Sequence, residues 1–162
     1  MEGIVDVFVE IPKNSQNKYE YDKEKGVFRL DRVLYSPMHY PADYGYIEET
    51  LAEDGDPLDV LVLVSNPTFP GCVITTRLVG ALIMSDDKGE DTKLLGVPVD
   101  DPRFNEIQDI DDVPTHIKRE IGHFFKVYKD LENKKTEVGD WKNREFAIKE
   151  LEAARRLYAT KH

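Results

Sequence analysis

The first hundred residues alternate hydrophobic and polar positions in the way that strands do. Ile4 to Ile11 forms the first such run, and Lys18 to Tyr21 is separated from Val27 to Leu34 by a polar turn that ends in Gly26. This pair predicts a β-hairpin, because glycine readily adopts the positive φ that such turns need. Three further β-rich runs lie between turn signals, namely Asp59 to Val64, Val73 to Met84 and Lys93 to Val99. The pattern predicts a β-meander or a small barrel.

After Pro102 the spacing of the hydrophobic residues changes to three and four. Ile117, Ile121, Phe124, Phe125, Tyr128 and Leu131 predict one amphipathic helix behind the proline-marked start at Pro114. A short strand at Thr136 to Trp141 and a second helix at about Asn143 to Thr160 are expected to follow. Strands followed by helices favour a mainly β, α+β fold, with a sheet that closes on itself to protect its edges and two C-terminal helices beside it. We expect one domain over residues 1–162.

Composition narrows the possible partners. The 22 Lys and Arg residues against 32 Asp and Glu residues give a formal net charge of −10, which disfavours nucleic acid. The chain has no apolar run long enough to span a membrane, and acidic Glu2 and Asp6 stand where a signal peptide is basic, so a cytoplasmic location is expected. Cys72 is the only cysteine, which excludes an internal disulfide and any multi-cysteine metal site.

The densest chemical signal is an acidic turn that contains Asp54, Asp56 and Asp59. Carboxylates this close repel one another and converge only around cations, and sites built from oxygen alone select Mg²⁺, Mn²⁺ or Ca²⁺. A calcium EF-hand does not fit, because Leu58 and Asp59 stand where that loop needs an acidic or amide residue and a glycine. The alternative is a solvated acidic turn.

A second acidic segment, Asp86 to Lys93, lies between two predicted strands. Taken alone it is typical of an ordinary charged hairpin loop. If the sheet closes, however, this segment and the first acidic turn can lie at one end of the barrel. Asp86, Asp91 and Glu20 would then join the first three carboxylates and hold more than one metal ion.

Cationic and phenolic residues indicate what such a site would bind. Lys18 and Glu20 share one face of a predicted strand, and Arg32, Lys93 and the Tyr128–Lys129 pair add donors from other elements. Surface charges and core aromatics are the alternatives for these residues, as plain β-core packing is for the tyrosine-rich segment 40–46. Several metals beside Lys, Arg and Tyr donors suit a compact ligand with many anionic oxygens, such as a phosphate. The glycine-rich loops that bind nucleotide phosphates do not occur in the sequence.

These residues together resemble family I soluble inorganic pyrophosphatases, over nearly the whole chain. The central motif is Asp54-Gly55-Asp56-Pro57-Leu58-Asp59-Val60, and the other matching segments occur in the family's order. They are Glu10-Ile11-Pro12, Lys18-Tyr19-Glu20, Asp31-Arg32, Tyr40-Pro41, Asp43-Tyr44-Gly45-Tyr46, Gly89-Glu90-Asp91 with Lys93, and His123-Phe124-Phe125 with Tyr128-Lys129-Asp130. The length is similar to that of the prokaryotic branch. The resemblance implies an OB-like, closed five-stranded barrel, a homohexamer, and Mg²⁺-dependent hydrolysis of pyrophosphate to two orthophosphates by direct attack of a metal-activated water.

The resemblance also implies roles for individual residues. Asp54, Asp59 and Asp91 would bind a first metal, Asp59 would bridge to a second, and Asp86 and Asp91 would help to bind a further metal that arrives with the substrate. Glu20 would act through metal-bound water, and Asp56 is similar to the family's general base. The residues expected to contact phosphate are Lys18, Arg32, Tyr44, Lys93, Tyr128 and Lys129, and Glu10 and Tyr40 match pocket positions. His123 is similar to an interface position, with a partly buried core histidine as the alternative, and His39 is given no catalytic role.

Two other functions stay open on the sequence alone. One is a nonenzymatic barrel that binds metal ions or a polyanion, which would show metal affinity without turnover. The other is a broader Mg²⁺-dependent phosphatase for organic phosphate esters, which is disfavoured because no extended apolar pocket for an organic group is evident.

Overall fold

The computed structural model describes residues 2–162, which contain nine strands, two α-helices and three short 3₁₀ turns. The strands are β1 (Ile4–Ile11), β2 (Asn17–Asp22), β3 (Val27–Val33), β4 (Asp43–Ile47), β5 (Leu58–Val62), β6 (Val73–Asp86), β7 (Gly89–Glu90), β8 (Lys93–Pro98) and β9 (Glu137–Lys142). The helices are α1 (Thr115–Val127) and α2 (Arg144–Lys161), and the 3₁₀ turns are Pro102–Phe104, Ile110–Asp112 and Asp130–Glu132. The mainly β architecture with two C-terminal helices agrees with the prediction.

The strand pairings run in the order β1, β4, β5, β8, β6, and β6 pairs again with β1. β5 and β8 are parallel, and the other neighbours are antiparallel. β7 and β9 pair with β6 outside this path, and β2 and β3 form a separate hairpin, as predicted. The chain order of the strands is therefore not that of a meander.

β4 is the longer of the two strands that the hydrophobic pattern did not identify, the other being the two-residue β7. All five of its residues are buried, so it shows no alternation of polar and apolar positions. Asp43 and the tyrosines at 44 and 46 are the cause, because polar atoms are buried here on both faces of the sheet.

The sheet separates two buried clusters. Successive residues of β5 alternate between them: Leu61 packs in the cluster that contains the α1 residues Ile121 and Phe124, whereas Val60 and Val62 pack with α2. Burial on both faces explains why β5 reads as one continuous apolar run.

The two helices begin at residues that suit a helix start. α1 follows Pro114, which has no N–H to satisfy, and it ends at Val127, before the predicted end at Leu131. α2 begins after Asn143, whose side chain accepts a hydrogen bond from the Phe146 N–H. Its buried face carries Ala147, Leu151 and Ala154, while Phe146 and Tyr158 of the predicted apolar face are only half-buried. Over residues 2–162, neither helix has the length and apolar character needed to cross a lipid bilayer.

Candidate active site

Lys93 lies at the centre of the candidate site. It is the first residue of β8, and Asp59 is near the start of β5, so the parallel pairing of these strands puts both side chains at the same edge of the sheet. Lys93 Nζ is 2.8 Å from Asp59 Oδ2, 3.0 Å from Asp91 Oδ2 and 2.6 Å from the Tyr44 hydroxyl oxygen. The Tyr44 hydroxyl in turn donates to Asp59 Oδ2 at 2.7 Å. The two acidic segments of the sequence thus meet, as expected, around one buried ammonium.

The electrostatics of this cluster keep Lys93 charged. Burial opposes its charged form, but Asp59, Tyr44 and Asp91 outweigh that effect and raise the pKa of Lys93 well above its usual value. Burial raises the pKa of Asp91, and the charge of Asp59 adds to this rise against the opposing effect of Lys93. The combined negative charge of Asp59 and Asp91 therefore exceeds the single positive charge of Lys93.

Asp54 and Asp56 lie on the loop before β5. Gly55, at φ 91°, turns this loop, and the Asp56 N–H donates to Asp54 Oδ1 at 3.0 Å. Burial raises the pKa of Asp54, and Asp56 and Asp59 raise it further. Asp54 and Asp56 are both exposed residues, but Asp54 shares one electrostatic environment with Asp59, whereas Asp56 directs no hydrogen bond through its side chain to residues 2–162.

Asp86 and Lys129 approach the site from the end of β6 and from the segment after α1. Lys129 Nζ and Asp86 Oδ2 are 3.9 Å apart, and the Lys88 N–H donates to Asp86 Oδ1 at 2.8 Å. Burial lowers the pKa of Lys129, and Arg32 and Lys93 lower it further against the effect of Asp86. Because Arg32 and Lys93 belong to other strands, their effect on the pKa of Lys129 indicates that cationic side chains from separate elements lie near one another here.

Three tyrosines provide buried hydroxyl groups. Tyr40, Tyr44 and Tyr128 are each less than a tenth exposed, and Phe124 packs between the rings of Tyr40 and Tyr128. Burial raises the pKa of Tyr128 to about 12, and it also raises the pKa values of Tyr40 and Tyr44 well above the usual value of a tyrosine. All three therefore remain neutral hydrogen-bond donors at physiological pH.

The β2–β3 hairpin contributes Lys18 and Arg32, which oppose each other in the strand register. Asp31 joins them, with its Oδ2 3.1 Å from Lys18 Nζ and 2.6 Å from Arg32 Nη1. Glu20 is exposed on β2. The hairpin therefore brings two cations and one accessible carboxylate to the site.

Glu10, on β1, accepts a hydrogen bond from the Tyr21 N–H at 2.9 Å. Burial raises its pKa to about 7, and Asp59 and Glu20 add to this rise, while the hydrogen bond and Lys18 oppose it. These influences connect Glu10 to both the hairpin and the central cluster.

Sequence reasoning gave no role to two buried carboxylates, of which Glu132 contacts a residue of this site. Asp43 is completely buried and accepts from the N–H groups of Lys13 and Thr68, which ties two loops to β4. Its position inside the tyrosine-rich segment was the available signal. Glu132 lies against Arg32, with Oε1 3.0 Å from Nε, and a separation of a hundred residues left no signal in the sequence.

The two histidines singled out earlier lie outside this cluster. His123 is exposed on α1, so the alternative of a partly buried core histidine is wrong. His39 is also exposed. Both line a cavity of about 770 Å³ beside Phe104 and Ile117, and none of the carboxylates described above lines it.

The donor set fits hard divalent cations. Within residues 2–162, no three Asp, Glu, His or Cys side chains are arranged to hold one ion together. Mg²⁺ does not require such a cage, because it commonly binds through one or two carboxylates and completes its shell with water and substrate phosphates. Burial raises the pKa of Asp54 and of Asp91, the charge of Asp59 raises both further, and a bound cation would relieve this repulsion.

Carboxylates, ammonium groups and buried phenols that meet at one edge of a sheet are typical of the class of proteins that bind phosphate groups together with metal ions. The chain belongs to the inorganic pyrophosphatase family, whose model matches residues 7–159. It is 63% identical over 146 residues to the inorganic pyrophosphatase of Geobacillus stearothermophilus, covering 90% of this chain and 88% of the relative. Identity to that of Methanosarcina acetivorans is 53% over 156 residues, covering 96% and 93% of the two chains.

The fold is also similar to that of a solved relative. The crystal structure of the Thermus thermophilus inorganic pyrophosphatase matches with a TM-score of 0.95 at 48% sequence identity, covering 97% of this chain and 92% of that one. The resemblance drawn from the sequence motifs is therefore confirmed.

Proposed function

We propose that this protein hydrolyses inorganic pyrophosphate to two orthophosphates with the help of Mg²⁺. The observation that carries this proposal is the meeting of Asp59, Asp91, Lys93 and Tyr44 at one edge of the sheet. These four residues place carboxylates that can bind metal ions within a few ångströms of donors that can bind phosphate. The family membership and the names of the relatives support the same activity.

The carboxylates would hold the metal ions. Asp54, Asp59 and Asp91 would bind one ion, with Asp59 shared with a second, while Asp86 and Asp91 would help to bind an ion that accompanies the substrate and Glu20 would act through water. Divalent ions in such a site neutralise phosphate charge and make water a better nucleophile, and Mn²⁺ is a chemically reasonable substitute for Mg²⁺.

The cationic and phenolic side chains would hold the substrate. Pyrophosphate has several anionic oxygens, and charge-assisted hydrogen bonds to them are among the strongest available to a protein. Buried tyrosines contribute neutral donors without requiring a counter-charge. The residues assigned to this role are Lys18, Arg32, Tyr44, Lys93, Tyr128 and Lys129, with Glu10 and Tyr40 completing the pocket.

Asp56 would accept the proton of the attacking water. Its carboxylate is exposed on the loop beside Asp54, so it is accessible to solvent water and to substrate. Water would attack phosphorus in line with the departing phosphate, without a covalent phosphoenzyme, because phosphoryl transfer depends mainly on positioning and electrostatics. Trapping a phosphorylated side chain during turnover would contradict this route.

The finer architecture is part of the proposal. β1 pairs with both β4 and β6, which supports a closed five-stranded OB-like barrel. On the family resemblance we also propose that the chain acts as one catalytic domain, assembles as a homohexamer and works in the cytoplasm. Light scattering behind a sizing column tests the hexamer, and a monomeric mass at micromolar concentration would exclude it.

The decisive experiment measures phosphate release from pyrophosphate at neutral to mildly alkaline pH, with Mg²⁺ and with a chelator. ATP and a simple phosphate monoester serve as parallel substrates. Rapid Mg²⁺-dependent release from pyrophosphate alone is the expected result. Comparable release from the monoester would indicate a general phosphatase, and Mg²⁺ binding without release would indicate a nonenzymatic binding module.

A further inference from the structure

Arg32 is held between two carboxylates. Its Nη1 is 2.6 Å from Asp31 Oδ2, the neighbouring residue on β3, and its Nε is 3.0 Å from Glu132 Oε1. Nη2 makes no polar contact with any side chain or backbone group of residues 2–162. Nε and Nη1 of the guanidinium therefore contact protein carboxylates, and Nη2 is left to donate a hydrogen bond to a ligand.

Glu132 is more deeply buried than the residue it contacts. Its side chain is 6% exposed and that of Arg32 22%, and Oε2 has no hydrogen-bond partner in the described part of the chain. The Arg32 Nε–H is not aligned with Oε1, so the contact is ionic rather than a well-formed hydrogen bond. Burying a carboxylate with such incomplete compensation costs stability, and buried ion pairs are in general poor sources of stability.

The position of Glu132 in the chain links two parts of the site. It ends the 3₁₀ turn Asp130–Glu132, directly after Tyr128 and Lys129, whereas Arg32 belongs to the separate β2–β3 hairpin. The ion pair therefore connects the hairpin cation to the segment that carries the phenol and ammonium donors.

We propose that Glu132 is a positioning residue for pyrophosphate binding. Its ionic contact at Nε acts together with the Asp31 contact at Nη1 to restrict the Arg32 guanidinium, so that the Nη2 edge is presented to a phosphate oxygen. This inference rests on the proposed function, and it assigns Glu132 no contact with the substrate.

The test uses Glu132→Gln, which keeps the shape of the side chain and removes its charge. Without the ionic contact Arg32 samples several orientations, so we expect kcat/KM for magnesium pyrophosphate to fall about tenfold, mostly through KM, which is the scale of one charge-assisted hydrogen bond. Glu132→Asp keeps the charge on a shorter side chain and is expected to recover part of the loss. Glu145→Gln is the matched control, because it removes a surface ion pair to Lys149 of 3.2 Å.

A double-mutant cycle separates positioning from a general structural role. In an Arg32→Lys background, Glu132→Gln is expected to change kcat/KM less than twofold, since there is no guanidinium left to orient. A tenfold loss in both backgrounds would overturn the proposal, as would a wild-type KM in the single variant. If Glu132→Gln does not fold, the same cycle is run with Glu132→Asp.

Binding of imidodiphosphate, a nonhydrolysable analogue, provides a readout that does not depend on turnover. Calorimetry in Mg²⁺ is expected to give about tenfold weaker binding for Glu132→Gln than for the wild type. If the wild type proves inactive on pyrophosphate, the proposed function fails, and the positioning role is then judged by this affinity difference alone. Equal affinities would overturn it.

Discussion

At the scale of single residues, the site is governed by an imbalance between negative and positive charge. Lys93 balances Asp59 and Asp91 at close range, yet burial and neighbouring carboxylates still raise the pKa of Asp91. An arrangement with unrelieved repulsion is poorly suited to stability and well suited to binding cations.

Asp56→Asn tests the assignment of the general base. The exposed carboxylate makes no hydrogen bond through its own oxygens to residues 2–162, so the substitution is expected to leave folding intact. Loss of proton acceptance is expected to lower turnover by about 10²-fold or more, measured as phosphate release. Glu53→Gln, three residues earlier on the same exposed loop, is the control and is expected to retain wild-type turnover. A near-normal rate in Asp56→Asn would remove Asp56 from this role.

Glu10→Gln tests the electrostatic cost of a buried carboxylate. Its pKa is raised to about 7 from 4.5, so the native state disfavours the ionised form. The contribution of Glu10 to stability is therefore fully present below pH 4.5 and is lost as pH rises through about 7. The glutamine keeps an oxygen for the Tyr21 N–H but never ionises. Its free energy of unfolding is expected to equal that of the wild type near pH 4 and to exceed it above pH 7, by up to about 3 kcal/mol.

Urea denaturation in chelator from pH 4 to 8.5 measures this difference. Glu24→Gln, at the exposed tip of the β2–β3 hairpin, is expected to show no such pH-dependent gain. A Glu10→Gln variant that is equally destabilised at every pH would mean that its packing, rather than its charge, matters.

The sequence could predict site residues where chemistry is concentrated locally. Asp54, Asp56 and Asp59 lie within six residues, and their spacing together with the second acidic segment led to the hypothesis of a cation site, with a solvated acidic turn as the alternative. Glu132 could not be found this way, because only the folded chain brings it to Arg32. Contacts between residues that are far apart in the chain depend on the topology of the fold, and the sequence pattern of a single segment does not reveal that topology.

At the scale of elements, prediction succeeded where an element has a solvated face or where, as in β5, it forms one unbroken apolar run. The β2–β3 hairpin and α2 have such faces, and both were predicted nearly to their ends. All five residues of β4 are buried, so the alternation of polar and apolar positions that marks a strand is absent from it. The parallel pairing of β5 with β8 joins segments that are far apart in the chain, and it has no local signature in the sequence. That pairing nevertheless sets the site, because it brings Asp59 and Lys93 to one edge.

Gly45→Ala tests how tightly β4 must approach β1. A Cβ at this position would collide with the Phe8 carbonyl oxygen, which is backbone and cannot rotate away. β4 would have to move, and with it Tyr44, the preceding residue. We expect a loss of at least about 2 kcal/mol in the free energy of unfolding, together with lower activity.

Gly122→Ala is the matched control on α1. A Cβ there would meet only Val138 Cγ1 at 3.9 Å, which is ordinary contact, and alanine favours a helix over glycine by about 1 kcal/mol. Unfolding in urea is expected to show a neutral or stabilising effect. Equal stability of the two variants would show that the β1–β4 contact is adaptable.

At the scale of the whole molecule, a net charge of −10 makes the native state sensitive to cations. Part of this charge is spread over the surface, where any salt screens it. The part held by Asp54, Asp59 and Asp91 lies in a partly buried cluster, where screening is weaker and a divalent ion can bind directly. The two parts therefore respond differently to Mg²⁺ and to monovalent salt.

Addition of Mg²⁺ is expected to raise the thermal unfolding temperature, because a ligand that binds only the native state stabilises it by mass action. At about a hundred times the dissociation constant the gain is about 2.7 kcal/mol, which corresponds to roughly 5–10 °C for a chain of this length. Scanning calorimetry with Mg²⁺, against NaCl of equal ionic strength, separates binding from screening. Asp59→Asn is expected to lose most of the Mg²⁺-specific rise while keeping the response to NaCl. If Mg²⁺ and NaCl raise the wild-type unfolding temperature equally, the acidic cluster is a screened surface patch and the metal assignments of its carboxylates are wrong.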